Sequence, residues 1–124
     1  MAKTLSNPTV EVNDTTIAII PNSFSYKRGF GDRDVKSASA GGNSITIIVS
    51  ENAETKISMV KFKLYNTQSN LQKVLDWATL SNTISISEDS FSIAFSDMVV
   101  TSEPEVAIGS EGDLEIEFKG RPTI

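Results

Sequence analysis

Over most of the chain, apolar and polar residues alternate with the period of two that a half-buried strand requires. Val10 and Val12 flank Glu11, Asn13-Asp14 offers a turn, and Thr16 to Ile20 resumes as apolar β-branched sequence, predicting a hairpin closed by Pro21-Asn22. Ser23 to Tyr26 alternates again as a short strand. Ser44 to Ser50 sets Ile45, Ile47 and Val49 against Ser44, Thr46, Ile48 and Ser50, and a second long strand, Thr55 to Tyr65, follows a turn at Glu51-Asn52-Ala53. Parity switches inside that strand, from Ile57 and Met59 to Val60, Phe62 and Leu64. Either both faces are covered near Ile57 or a bulge shifts the register.

One segment has the helical period. Leu71, Val74, Leu75 and Ala78 fall at i, i+3, i+4 and i+7, and Ser69 with Gln72 has capping-box spacing, so a helix is expected from Ser69 to near Leu80. Trp77 lies off the centre of that stripe and reads as a flank of the core rather than a ligand platform. Beyond the helix, Thr83 to Ser87 and Phe91 to Phe95 flank Glu88-Asp89-Ser90 as a hairpin. Met98 to Thr101 and Asp113 to Lys119 follow as strands, separated by Glu103-Pro104 and the turn-forming Gly109-Ser110-Glu111-Gly112. In the last strand Leu114, Ile116 and Phe118 alternate with Glu115, Glu117 and Lys119, giving one core face and one wet face.

Residues 28–43 break the pattern: sixteen residues with four glycines and five charges and no period of either kind. A loop that long in a compact domain is functional or disordered. Phe30 has little use in a solvated loop, so the segment reads as an arm with Phe30 and Val35 as apolar anchors and Arg28, Arg33 and Asp34 as polar contacts. The whole reads as a single domain over residues 1–124, with tails at 1–7 and 120–124.

The 28 Ser and Thr residues, with apolar residues dominated by Ile, Val and Phe, agree with a mainly β chain. With 124 residues a core forms without a staple. The sequence has no Cys and no His, which removes disulfides, thiolate and imidazole metal ligands, cysteine nucleophiles and histidine bases. The net charge of −5 is unevenly placed: residues 1–87 carry +2 and residues 88–124 carry −7. Such a balance is poor for holding nucleic acid, although a surface can face nucleic acid without binding it. No signal peptide is visible, and the longest apolar run, Ile17 to Ile20, is too short to span a bilayer.

Catalytic patterns are weak. Glu115 and Glu117 share a strand face, but alternating glutamates on an exposed strand usually serve solubility and edge protection. Gly29-Phe30-Gly31 lacks the third glycine and following helix of a dinucleotide loop, and the acidic run from Glu103 to Glu117 lacks calcium-loop spacing. The expectation is a protein that is not an enzyme and that uses no cofactor or metal.

A set of short segments in fixed order carries a resemblance: Pro21-Asn22-Ser23-Phe24-Ser25-Tyr26, Gly29-Phe30-Gly31, Ser39-Ala40-Gly41-Gly42, Val49 to Thr55, Val60 to Leu64, Val100 to Glu105 and Gly109 to Phe118. From about residue 7 to 122 the chain resembles a bacteriophage tail tube protein of the contractile-tailed type. The resemblance implies an antiparallel β-sandwich or barrel with one flanking α-helix and a long extended loop. Its subunits form hexameric rings, give strands to a continuous barrel around the lumen, and stack into the conduit for DNA ejection. It implies a virion protein assembled in the host cytoplasm. The partners it implies are copies of itself, a tail sheath protein, a tape-measure (ruler) protein, and baseplate and tail-terminator proteins. Genomic DNA passes without specific binding, and no membrane is involved. The loop position that contacts the next ring is filled here by Arg28 to Asn43, with Arg28, Phe30, Arg33, Asp34, Val35, Gly41 and Gly42 as candidate contacts. Glu115 and Glu117 are candidate acidic lumen residues, since an acidic wall repels phosphates. Two alternatives share the composition: the inner tube of a phage-derived contractile injection particle without a genome, and a monomeric β-sandwich module binding a carbohydrate or peptide. A carboxylate-only hydrolase is more distant.

Overall fold

A computed structural model describes residues 8–39, 41–42, 44–107 and 112–124. The expected 1–7 tail, Ala40, Asn43 and most of the turn at 109–112 lie outside the described residues. The protein is mainly β, with nine strands among the described residues: β1 (Thr9–Val12), β2 (Thr15–Ile17), β3 (Ser25–Lys27), β4 (Asp32–Ser39), β5 (Ile45–Asn52), β6 (Ser58–Tyr65), β7 (Asn82–Glu88), β8 (Phe91–Val100) and β9 (Asp113–Gly120). One helix, α1 (Gln68–Ala78), lies between β6 and β7, and a single 3-10 turn, Ala53–Thr55, joins β5 to β6. Seven strands form one antiparallel sheet in the order β2-β1-β7-β8-β9-β6-β3, and β4 and β5 form a separate two-stranded ribbon.

Strand β8 turns the sheet. Its first half pairs with β7 and its last residues, Val99 and Val100, pair with Lys119 and Phe118 of β9. Between them the register shifts, one residue of β7 (Thr83) opposing two of β8 (Ser96 and Asp97), and Asp97 takes a left-handed φ of 55°. Such a bulge bends and twists a strand. Gly120 sits under this bend, where an added Cβ would run into the Asp97 carbonyl, so only glycine lets the backbones approach. The bend folds the two halves over one core: Tyr26 of β3 meets Phe95 and Phe91 of β8 at 5.7 and 6.4 Å, although two strands, β9 and β6, lie between them in the sheet.

Phe62 is the hub of that core. It stacks on Phe24 at 6.5 Å and Phe118 at 5.9 Å and meets Trp77 of α1 edge-on at 6.2 Å. The even positions Val60, Phe62 and Leu64 of β6 and Leu114, Ile116 and Phe118 of β9 are buried, as the alternation predicts. The parity switch has a simpler origin than a bulge. Strand β6 starts only at Ser58, and Ile57 belongs to the connection after the 3-10 turn, half exposed.

Helix α1 starts at Gln68 with Thr67, rather than Ser69 of the capping-box reading, as N-cap, accepting from Asn70 N–H at 3.2 Å. Its buried face is Val74 and Trp77 with Leu71 beside them, while Leu75 is 60% exposed. Trp77, 5% exposed, is therefore central rather than flanking: it is large enough to reach both Phe62 and Phe118, and that fixes the helix's rotation. Where the helix ends, buried Asn82 holds three elements together. Its side-chain nitrogen lies 3.0 Å from the Trp77 and Leu80 carbonyls and 3.1 Å from that of Met98, and its oxygen accepts from Asn13 at 2.9 Å.

The β1–β2 hairpin turns on Asn13 and Asp14, both at positive φ, and β7–β8 turns on Asp89-Ser90. The expected strands 91–95 and 98–101 are one continuous β8. The segment after β9 is tied down rather than a free tail: Arg121 N–H donates to Ser96 O at 3.3 Å and Thr123 N–H to Arg28 O at 2.8 Å. The described sheet is not closed into a barrel, because β2 and β3 stand at its two ends.

The largest correction concerns residues 28–43. Rather than a loop, they hold β4, paired over its full length with β5 from Asp32↔Asn52 to Ser39↔Ile45. Strand β5 was legible but not its surroundings: it lies outside the core, and all sixteen residues of β4 and β5 are exposed.

Truncating Phe62 to Ala should cost about 3–5 kcal/mol in urea unfolding of dilute monomer. Ile47→Ser on the ribbon should change it by less than about 0.5 kcal/mol, as an exposed site does. Equal losses at the two positions would contradict this division between core and ribbon.

Candidate functional site

The ribbon is two-faced because directly paired residues of an antiparallel ladder share a side. One face carries the pairs Val35↔Val49, Ser37↔Ile47 and Ser39↔Ile45, with Arg33↔Glu51 at its base. Here Val35, Ile45, Ile47 and Val49 are between 54% and 71% exposed. The opposite face carries Asp32, Asp34, Lys36 and Ala38 against Asn52, Ser50, Ile48 and Thr46, and is mainly polar. The aliphatic face leaves on the order of 400 Å² of apolar surface open, the size of the largest patch on a typical monomer, which is often functional. Both outer edges of the ribbon are also free, since β4 and β5 pair only with each other. From Ile45 to Ser50 the β5 edge has no charge and no proline, the devices that normally blunt an edge.

The expected contacts are distributed along this arm. Arg28 and Phe30 sit at its root, Phe30 being 63% exposed, and Arg33, Asp34 and Val35 lie on β4. Gly41 and Gly42 lie in the connection at the far end, both at positive φ, with no atom within 4 Å of a Cβ placed on either. Gly29 is at the root, where its φ of +94° and close approach to the Ile57–Ser58 backbone exclude a side chain.

A clasp sets the ribbon's base. Glu51 accepts from Lys56 Nζ at 2.7 Å and from Arg33 Nε at 3.5 Å. Thr55 Oγ1 accepts from Asp32 N–H and donates to Asn52 O, both at 2.7 Å. Hydrogen bonding to Lys56, then that lysine's charge, then Arg33, hold the Glu51 carboxyl below its ordinary 4.5. A cleft of about 750 Å³ opens beside the clasp, lined by Tyr26, Lys27, Arg28, Phe30, Ile57 and Lys119 among others.

Glu115 and Glu117 lie on the outer face of β9, and each has a partner. Lys61 Nζ is 3.0 Å from Glu115, Lys63 Nζ 3.7 Å from Asp113 and Lys119 Nζ 3.8 Å from Glu117, while Thr101 Oγ1 donates to Glu117 at 3.2 Å. The hydrogen bond to Glu115, that carboxylate's charge and, more weakly, Glu117 raise Lys61 above its ordinary 10.5, against a smaller lowering by burial. Three lysines thus balance three carboxylates on one face. The sequence pattern offered the glutamates alone; the β6–β9 register, Lys61↔Glu117 and Lys63↔Glu115, supplies the lysines. Among the described residues no group of three or more Asp and Glu side chains converges as a metal site, and no helix is long and apolar enough to cross a membrane.

No family model matches the chain, and no curated protein matches it.

The clasp makes a pH prediction. Glu51 is depressed in the folded state, so its contribution is complete above pH 4.5 and is lost as pH falls through the lower folded value. Relative to the intrinsic rate of an unstructured chain at the same pH, amide exchange at the Asp32 and Thr55 end of the ribbon should show an acceleration below pH 4.5 in wild type. Glu51→Gln should remove that acceleration; an identical pH profile in the variant would contradict the clasp.

Proposed function

We propose that this protein is a tail tube subunit of a contractile-tailed bacteriophage, forming hexameric rings that stack into the conduit for DNA ejection. The observation that carries the reading is the ribbon. Two strands alone are marginal in water. An aliphatic face together with two unpaired edges, that of β5 uncharged from Ile45 to Ser50, is a surface made for a second copy of the chain. The ordered resemblance from about residue 7 to 122 supplies the kind of assembly. In it the ribbon's edges pair with neighbouring subunits, its aliphatic face backs onto their bodies, and its polar face, with Asp32, Asp34 and Lys36, turns toward the channel.

The dimensions of a barrel constrain this further. Six ribbons give about twelve strands, which at about 4.8 Å spacing and about 40° tilt span roughly 24 Å between backbones, too narrow for duplex DNA once side chains line the wall. Strands of the body must then complete the wall. The outer face of β6 and β9 is the charged surface available, with Glu115 and Glu117 held among lysines. A balanced wall of this kind presents phosphates with little net attraction and lets DNA pass without binding. Sheath, ruler, baseplate and terminator proteins are the partners this reading implies.

Negative-stain electron microscopy over a concentration series tests it. Rings or tubes with a lumen of roughly 20 Å or more are expected. Deleting Ser37 to Gly42 should leave a folded monomer that forms no tubes. Compact monomers at every concentration, with or without preformed tail-tip complexes to nucleate them, would instead favour the binding module, with the cleft at the ribbon's root as its site.

A further inference from the structure

The β6–β9 ladder has two chemically different ends. At the Ser58↔Gly120 end lies the cleft of about 750 Å³ at the ribbon's root, within the size range of clefts that hold ligands. It combines the cations of Lys27, Arg28 and Lys119, which outnumber its two carboxylates, Asp32 and Glu54, with the apolar surfaces of Tyr26, Phe30 and Ile57. Lys27 and Arg28 have no carboxylate within 4.0 Å among the described residues, and Lys119 has only Glu117 at 3.8 Å. The segment after β8 runs the other way. It leaves Glu117 O, where Thr101 N–H donates at 3.0 Å, and reaches Asn66 beyond Tyr65, where Asn66 Nδ2 donates to Ala107 O at 3.0 Å. Between these points Glu103, Pro104, Glu105 and Val106 have no regular secondary structure, with no ion partner for either glutamate among the described residues. Seven residue steps of strand, about 23 Å, separate the ladder's ends, so the segment's far end cannot fill its own molecule's cleft.

We propose that the Glu103–Val106 segment of one copy docks in the ribbon-root cleft of a second copy. Glu103 and Glu105 meet Lys27, Arg28 and Lys119, and Pro104 and Val106 lie against Phe30 and Ile57. Two different surfaces joined in this way make a heterologous head-to-tail contact, which propagates rather than stopping at a dimer. The contact rests on the self-assembly proposed above but uses a surface other than the ribbon. It also gives the uneven charge of the chain a use, since the acidic final third supplies one side of the contact and the basic earlier part most of the other.

Charge exchange tests this pairing. Lys27→Glu with Arg28→Glu, and separately Glu103→Lys with Glu105→Lys, should each raise the concentration at which assembly begins by tenfold or more. The chain carrying all four changes should recover. Mixing the two double variants should restore assembly as alternating copies, because each cleft then meets a segment of opposite charge. As the chain has no native cysteine, Arg28→Cys with Glu105→Cys should give an intermolecular disulfide ladder on a non-reducing gel, a readout that does not depend on the charge variants folding. Assembly of both charge variants at the wild-type concentration, with no ladder, would overturn this contact and leave the ribbon reading standing. A wild-type chain that remains monomeric and gives no ladder would overturn both.

Discussion

A two-stranded ribbon has no inside. Every other strand of this protein hides one face against a core built on Phe62, Trp77 and Phe118, but β4 and β5 have only each other. Backbone pairing gives them their shape and leaves the aliphatic face of Val35, Ile45, Ile47 and Val49 in water. That open surface is the constraint from which the functional reading follows. The body is complete as a folded unit, and the arm is complete only against another surface.

The body makes that division workable. The bulge at Asp97 folds one sheet over itself, Gly120 permits the close approach, and Asn82 ties the bend to the helix end and the first hairpin. A body closed in this way can carry an arm that adds little to its own stability. The Glu51–Lys56 pair and Thr55 fix the arm's base in place. An arm held at the base and free at its edges is suited to meeting a neighbour in a defined orientation, since its direction is set before contact.

Much of the fold was legible because it rests on local signals. The β1–β2 and β7–β8 hairpins, the alternation of β9 and the existence of a helix all come from turn residues and periodicity in a short window. What was not legible depends on pairing between distant segments. Asp32 to Ser39 has no strand period and few β-branched residues, and it becomes a strand because Ile45 to Asn52 lies opposite it. Strand β5 looked like core because aliphatic alternation reports a preference for a covered face without saying that this chain provides the cover. Trp77 displaced Leu75 from the buried face of α1 because a large ring able to reach two phenylalanines outweighs ideal spacing. The candidate site divides in the same way. Phe30 and Val35 were legible as apolar residues out of place in a solvated segment, whereas the lysine partners of Glu115 and Glu117 appear only once β6 is set in register beside β9.

The central claim is that the ribbon's free edges and aliphatic face are covered by other copies of the chain. Hydrogen–deuterium exchange, comparing dilute monomer with concentrated protein, addresses it most directly. In monomer, β4 and β5 should exchange quickly while β6 and β9 are protected, as expected for a segment with exposed backbone and little packing. On concentration, protection across Asp32–Ser39 and Ile45–Asn52 should rise by about a hundredfold or more, with β6 and β9 unchanged. A ribbon already protected in dilute monomer, or one equally open at every concentration, would contradict the account.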